Sequence, residues 1–207
     1  MNQFDLAAPG WDKNQMHIER SEAVAKELLK AIEWRPGMKA LEFGAGTGLL
    51  SFALKSYFTE ITLMDNSQEM VNVASEKIER QKVKNLQAVY FDLEKDDYPV
   101  GNFDIIYSQM VFHHVADIES LIKKFHAMLN FRGILAIADL YKEDGSFHGE
   151  GFDGHNGFDT DELAALLEKN NFENIEHTQC YIIEREGMQG EKQEYPIFLL
   201  TAHVSKL

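Results

Sequence analysis

Apolar residues along the chain follow two alternating spacings. From His17 onward, Ile18, Ala25, Leu28, Leu29 and Ile32 recur at helical intervals, and Arg35-Pro36-Gly37 ends that run. Short apolar runs follow at 39–43, 61–65, 86–92, 103–108 and 134–139, each the length of a buried strand. Amphipathic segments lie among them. Residues 49–57 read as a helix, and Asn66 with Glu69 reads as a capping box for the next one. The inner face of that helix would be Met70, Val71, Ala74 and Ile78. Residues 117–130 carry the clearest stripe: Ile118, Leu121, Ile122, Phe125, Met128 and Leu129. Asp159 and Glu162 cap a last helix that turns Leu163, Leu166 and Leu167 inward. Two long strands, 174–186 and 195–204, are separated by a polar hairpin at 187–194. The first sixteen residues, with Pro9 and Gly10, show no period and read as an arm or lid.

This order of elements, β-α-β-α-β-β-α-β-α-β-β, predicts an α/β fold. A mostly parallel sheet would be covered by helices on both faces, with an antiparallel finish. Residues 1–36 form an N-terminal arm and capping helix, and 37–207 form the main unit of what is expected to be one domain.

Charge narrows the partners. Twenty Lys and Arg stand against 34 Asp and Glu, a net charge of −14 over 207 residues. A phosphate backbone is bound through a cationic surface, and no Lys/Arg cluster is visible, so neither nucleic acid nor an anionic membrane is the expected partner. Cys180 is the single cysteine, so no disulfide can form within the chain and a reducing, cytoplasmic setting is expected. Within the strand-like run Cys180-Tyr181-Ile182-Ile183 it reads as a packed thiol. The N-terminus carries no basic-then-apolar signal, and no run approaches the ~20 apolar residues of a membrane span.

The chemistry gathers at Gly44-Ala45-Gly46-Thr47-Gly48, between a strand and a helix. In open α/β sheets ligands bind beyond the carboxyl ends of the strands, where glycine lets backbone approach closely and a helix start offers N–H groups. The dinucleotide fingerprint G-x-G-x-x-G fails in both registers, because Leu49 and Ser51 occupy the third glycine's place. No Gly-Lys-Ser/Thr follows either, so the P-loop pattern fails too. What remains is Glu42 before the glycines, Asp65 at the end of the second strand and Asp92 at the end of the third. An acid at the second strand's end can accept from both ribose hydroxyls. Acids here repel a phosphate and suit an unphosphorylated nucleoside, the more so a cationic one. Read blandly, Glu42 is a strand-edge charge, Asp65 and Asp92 are turn residues, and Met70 is core.

On these residues the chain resembles the class I S-adenosylmethionine-dependent methyltransferases. The resemblance runs through residues 40–48, Met64-Asp65, Phe91-Asp92-Leu93, Phe103-Asp104-Ile105-Ile106-Tyr107-Ser108 and Arg132-Gly133-Ile134-Leu135. It implies a Rossmann-like seven-stranded sheet in the order 3-2-1-4-5-7-6 with the seventh strand antiparallel. It further implies that S-adenosylmethionine is the cofactor. Gly44, Ala45, Gly46 and Gly48 would line its methionine part, and Glu42 would anchor that end. Asp65 would bind the ribose, with Asn66 and Met70 flanking the adenine. Asp92 and Leu93 would hold the adenine edge, and Ser108 and Gln109 would lie near the sulfonium. The helix beginning near His17 would close over the cofactor.

Residues 108–114 read Ser-Gln-Met-Val-Phe-His-His, which departs from the Asn/Asp-Pro-Pro-Tyr/Phe signature of methyltransferases acting on base or glutamine amino groups. The His113-His114 pair resembles small-molecule members, including those of quinone biosynthesis. A small-molecule acceptor is therefore expected, with His113 as a candidate substrate contact or base. His148 and His155, in the glycine-rich stretch 145–158, are further candidates for the substrate side. That stretch reads as a mobile lid, and His155-Asn156-Gly157-Phe158 loosely matches a His-x-Gly-Phe element of the family. No tight His spacing marks a metal site, and none is expected. Two rivals remain: a non-catalytic module that binds the cofactor or its product and regulates a partner protein, and a nicotinamide-dependent reductase.

Overall fold

A computed structural model describes residues 3–186 and 191–205. Its sheet consists of β1 (Lys39–Phe43), β2 (Glu60–Asp65), β3 (Leu86–Tyr90), β4 (Phe103–Gln109), β5 (Leu129–Leu140), β6 (Phe172–Glu186) and β7 (Lys192–Val204). The strands lie in the order 3-2-1-4-5-7-6. β7 runs antiparallel to β5 and β6, and the other pairings are parallel. The expected architecture and strand order are therefore present. Of the expected hairpin at 187–194, residues 187–190 lie outside the described residues.

Strand alternation sends side chains to two cores. One face buries Ala40, Ile61, Leu63, Ile105 and Tyr107 beneath α2 (Gln15–Ala31), α3 (Leu49–Leu54) and α4 (Gln68–Gln81). The other buries Leu41, Met64, Ile106, Leu135 and Phe198 beneath α5 (Ile118–Met128) and α6 (Thr160–Lys169). Helices thus cover both faces. α5 starts at the Asp117 cap, which accepts from the Ser120 N–H at 2.9 Å, and α6 starts at Asp159 in the same way.

Several boundaries shift from the sequence reading. The unpatterned N-terminus forms α1 (Gln3–Ala7) and a 3-10 turn over Ala8–Lys13, both too short to show a period. The following helix starts two residues before His17, at Gln15, because the Asn14 side chain caps it by accepting from the Met16 N–H. α4 is capped by Ser67 rather than Asn66: the Ser67 Oγ accepts from the Met70 N–H at 3.2 Å. Ile78 packs partly buried against the core as expected, and Lys77 beside it is buried as well. β5 begins at Leu129 instead of Ile134, with a register shift against β4 and Arg132 at φ 59°. Among the described residues, no helix is long and apolar enough to cross a membrane.

Register decides where the site forms. Phe43 of β1 lies level with Met64 of β2 and Ser108 of β4, and Asp65 lies level with Tyr90 of β3. The residues that follow (Gly44, Asn66, Phe91 and Gln109) therefore emerge along one edge of the sheet.

Candidate active site

A cavity of about 600 Å³ opens along that edge, within the ~300–1,000 Å³ usual for ligand sites. Its β1–β3 end is lined by Glu42, Gly44, Ala45, Gly46, Asp65, Asn66, Met70, Asp92 and Glu94. Its β4–β6 end is lined by Arg20 and Ser21 of α2, Gln109, His113 and His114, Phe147 and His148, and Arg185.

The glycine loop is shaped by what surrounds it. A Cβ on Gly44 would stand 2.4 Å from Val111 Cγ2, and Gly44 has φ 64°. Only glycine fits there. Near Gly46, only Met70 Sδ at 3.8 Å approaches the place a Cβ would take, so that flank faces the cavity. The Gly46 N–H donates to Asp65 Oδ2 at 2.6 Å, and the Ser67 N–H donates to Oδ1 at 2.8 Å. Asp65 thus ties the loop after β1 to the start of α4. Burial pushes its carboxyl up, while those N–H groups pull it back. Glu42 lies in the floor, 3% exposed, accepting from the Ser51 N–H at 3.1 Å and from the Ser51 hydroxyl, which in turn meets the Tyr107 hydroxyl at 2.8 Å. Burial raises the Glu42 pKa to about 8, with the Ser51 hydrogen bonds opposing the rise. A carboxyl poised this way gains from an incoming cation.

The N-terminal segment roofs this end. The Ser67 hydroxyl donates to Asp5 at 2.6 Å, the Thr47 hydroxyl to Asp12 at 2.5 Å, and Lys77 pairs with Asp12 at 2.8 Å. The sequence suggested a lid here without identifying these anchors.

Four expected residues fall off the cavity wall. Strand alternation puts Tyr107 and Gln109 on one face and Ser108 on the other, where its buried Oγ has no partner. Leu93 packs into the core under α5, and its carbonyl accepts from Lys124 Nζ at 2.8 Å. Gly48 is the left-handed N-cap of α3, packed against Leu63. His155 places its ring nitrogen 3.0 Å from the Val115 carbonyl and its N–H on the His113 carbonyl. It lines a separate depression beside α6 and is not part of this cavity's wall.

His113 is 1% exposed, and its Nδ1 meets Asp139 Oδ1 at 2.6 Å. Asp139, on β5 and 0% exposed, also accepts from the His113 and Leu140 N–H groups at 3.3 and 2.7 Å. This fixes the ring and leaves Nε2 as its other nitrogen. His114 and His148 stand beside it, with ring centroids 4.2 and 4.9 Å from that of His113. Burial, and then the neighbouring His113, lowers both to about 4. One ligand atom from each of the three lies within 4.8 Å of the others, a cluster that could hold a metal ion and that sequence spacing did not reveal. Sequence reasoning also missed Asp139, Arg20 and Arg185. Only Asp139 carried a signal, as an acid ending an apolar strand. Cys180 is a packed thiol, its pKa pushed up to about 12 by burial.

The acidic, glycine-walled end passes the test for the expected cofactor. The Gly46 flank is open, the carboxyl-bearing Glu42, Asp65, Asp92 and Glu94 line that end, and no Lys or Arg lines it to receive a phosphate. Comparison with known proteins agrees. Residues 16–177 match the family described as methyltransferase domain. An uncharacterized methyltransferase of Schizosaccharomyces pombe is 31% identical over 159 residues, 69% of this chain and 56% of that protein. Phosphoethanolamine N-methyltransferase 3 of Arabidopsis thaliana is 30% identical over 115 residues, 55% of this chain and 23% of that protein. The chain thus spans about half or less of the length of these two relatives. The structure of Haemonchus contortus phosphoethanolamine N-methyltransferase 2 in complex with S-adenosyl-L-methionine shares the fold, with a TM-score of 0.73 and 13% identity over 100% of this chain and 61% of that one. With the family matched over most of its length and the glycine loop, acids and strand order all in place, the chain belongs to the class I S-adenosylmethionine-dependent methyltransferases.

Proposed function

We propose that the chain transfers the methyl group of S-adenosylmethionine to a small-molecule acceptor held between the glycine loop and His113. The observation that carries this reading is a single cavity whose wall includes both Gly44–Gly46 with Asp65 and His113, whose ring the buried Asp139 holds from behind. The cofactor, when bound, supplies a methyl group on a sulfonium, already a good leaving group.

The residues supply position. Asp65 and Asn66 would hold the ribose and adenine, Asp92 the adenine edge, and Glu42 the cationic methionine end. Holding acceptor and methyl in line lowers the barrier by ~7–11 kcal/mol. The roof of α1 and the 3-10 turn restricts access to small acceptors and excludes water. Where the attacking atom carries a proton, His113 Nε2 receives it, and Asp139 stabilises the resulting imidazolium. The small-molecule activities named for relatives such as phosphoethanolamine N-methyltransferase are consistent with this.

The test is formation of S-adenosylhomocysteine from S-adenosylmethionine across a panel of small amines, phenols and carboxylic acids. Turnover with at least one acceptor is expected. Cofactor binding without turnover on any of them favours the non-catalytic module.

A further inference from the structure

The β4–β6 end of the cavity holds two guanidinium groups without carboxylate partners. Arg20 is 6% exposed, its Nε is buried with no hydrogen-bond partner, and its Nη1 reaches only the Met16 sulfur at 3.9 Å. The ion pairs among the described residues include neither Arg20 nor Arg185. For Arg20 this is unusual in a chain with 34 acids and 20 Lys and Arg, because a buried, unpaired charge is costly; Arg185 is exposed. Asp139 is near enough to act on Arg20, but its oxygens are taken by His113 and Leu140. Arg20 and Arg185 both line this end of the cavity, so two like charges face one space. Arg185 is held there by stacking on Phe147, 3.8 Å from the ring centroid, and by donating to the Phe147 carbonyl.

We propose that Arg20 and Arg185 bind an anionic group, a carboxylate or a phosphate, on the methyl acceptor. This rests on the methyltransferase reading above and adds the substrate class. The planar fork of each guanidinium matches either oxyanion. The neutral imidazoles of His114 and His148 can add N–H donors. The same two positive charges oppose a metal ion at the three-histidine cluster. The cavity is therefore polarised, with acids at β1–β3 for a cationic nucleoside and guanidiniums at β4–β6 for an anion.

The anion could instead be the carboxylate of the cofactor itself, and the experiment separates the two sources. Wild-type protein is saturated with S-adenosylhomocysteine and titrated calorimetrically with inorganic phosphate and with succinate through the millimolar range. Saturable binding of at least one anion is expected, additive with S-adenosylhomocysteine. Arg185→Gln, at an exposed position, should weaken it about tenfold or more, and Arg20→Lys less than Arg20→Gln, with S-adenosylhomocysteine affinity unchanged within about twofold. Three results would overturn the proposal: no anion binding by the saturated wild type, competition between anion and S-adenosylhomocysteine, or loss of S-adenosylhomocysteine affinity in the Arg185 variant. Failure of the wild type to bind S-adenosylhomocysteine at all would instead sink the methyltransferase reading underneath it.

Discussion

At the β1–β3 end of the cavity the acids come from residues 42–94, each on or just after β1, β2 or β3. At the β4–β6 end the polar groups come from residues 20, 109–114, 148 and 185, and no two of those segments are neighbours in sequence. The first end is a local device. Gly46, Asp65 and Ser67 fix one another through backbone N–H groups donating to one carboxylate. The second is a tertiary assembly held by the buried His113–Asp139 contact, with Arg185 stacked on Phe147.

If the two ends are built independently, damage to one should spare the other. Asp139→Ala strips the acceptor from His113 Nδ1 and from two backbone N–H groups in a fully buried place. It should cost about 3 kcal/mol of stability, read by urea unfolding, and abolish turnover. S-adenosylhomocysteine affinity should hold within about twofold. A matching collapse of that affinity would show that the ends are one cooperative unit.

Gly44→Ala probes the seam between them, since the new Cβ would strike Val111, just beyond β4. A loss of about 2 kcal/mol is expected from strain and overpacking. Val111→Ala in the same chain should recover the clash but not the cost of φ 64°, so partial rescue is the predicted result. Full rescue would mean that the backbone conformation costs nothing.

The same contrast explains what could be read in advance. Both helix layers were legible from local period, the strand order came through the family resemblance, and Glu42, Gly44, Gly46, Asp65 and Asp92, singled out by motif, all line the cavity. Ser108 was misplaced because a motif names a strand end but not which face of the strand each residue takes. The N-cap of α4 was one residue off because Asn66 and Ser67 are both good caps and only geometry chooses between them. Arg20 was hidden on a helix whose stripe gave no hint that one charged side chain turned inward. Arg185 and His148 lie in segments whose meeting depends on the terminal hairpin folding back along β5.

Glu42 offers a smaller effect with a definite sign. Its folded pKa of about 8 stands above the ordinary carboxylate value. Its contribution to stability is therefore complete below about pH 4.5 and is lost as pH rises through about 8. Glu42→Gln, which cannot ionise, should gain on the wild type by at least about 1 kcal/mol between pH 5 and pH 9 in urea unfolding. Parallel curves would mean that Glu42 is already ionised in the free protein. Binding of the cationic cofactor at pH 7 should also release a proton from Glu42 in the wild type but not in the Gln variant. Calorimetry in two buffers of different ionisation enthalpy reads that difference.

The central claim is that the acidic end of the cavity holds an unphosphorylated adenosine carrying a sulfonium tail. Calorimetric titration of the wild type and of Asp65→Ala with S-adenosylmethionine, and of the wild type with ATP, tests it most directly. The account predicts one saturable site for S-adenosylmethionine, weakened by about 1.5–3 kcal/mol when Asp65 is removed, and no comparable affinity for ATP. Wild-type affinity in the Asp65 variant, or binding of ATP as tight as that of S-adenosylmethionine, would contradict it.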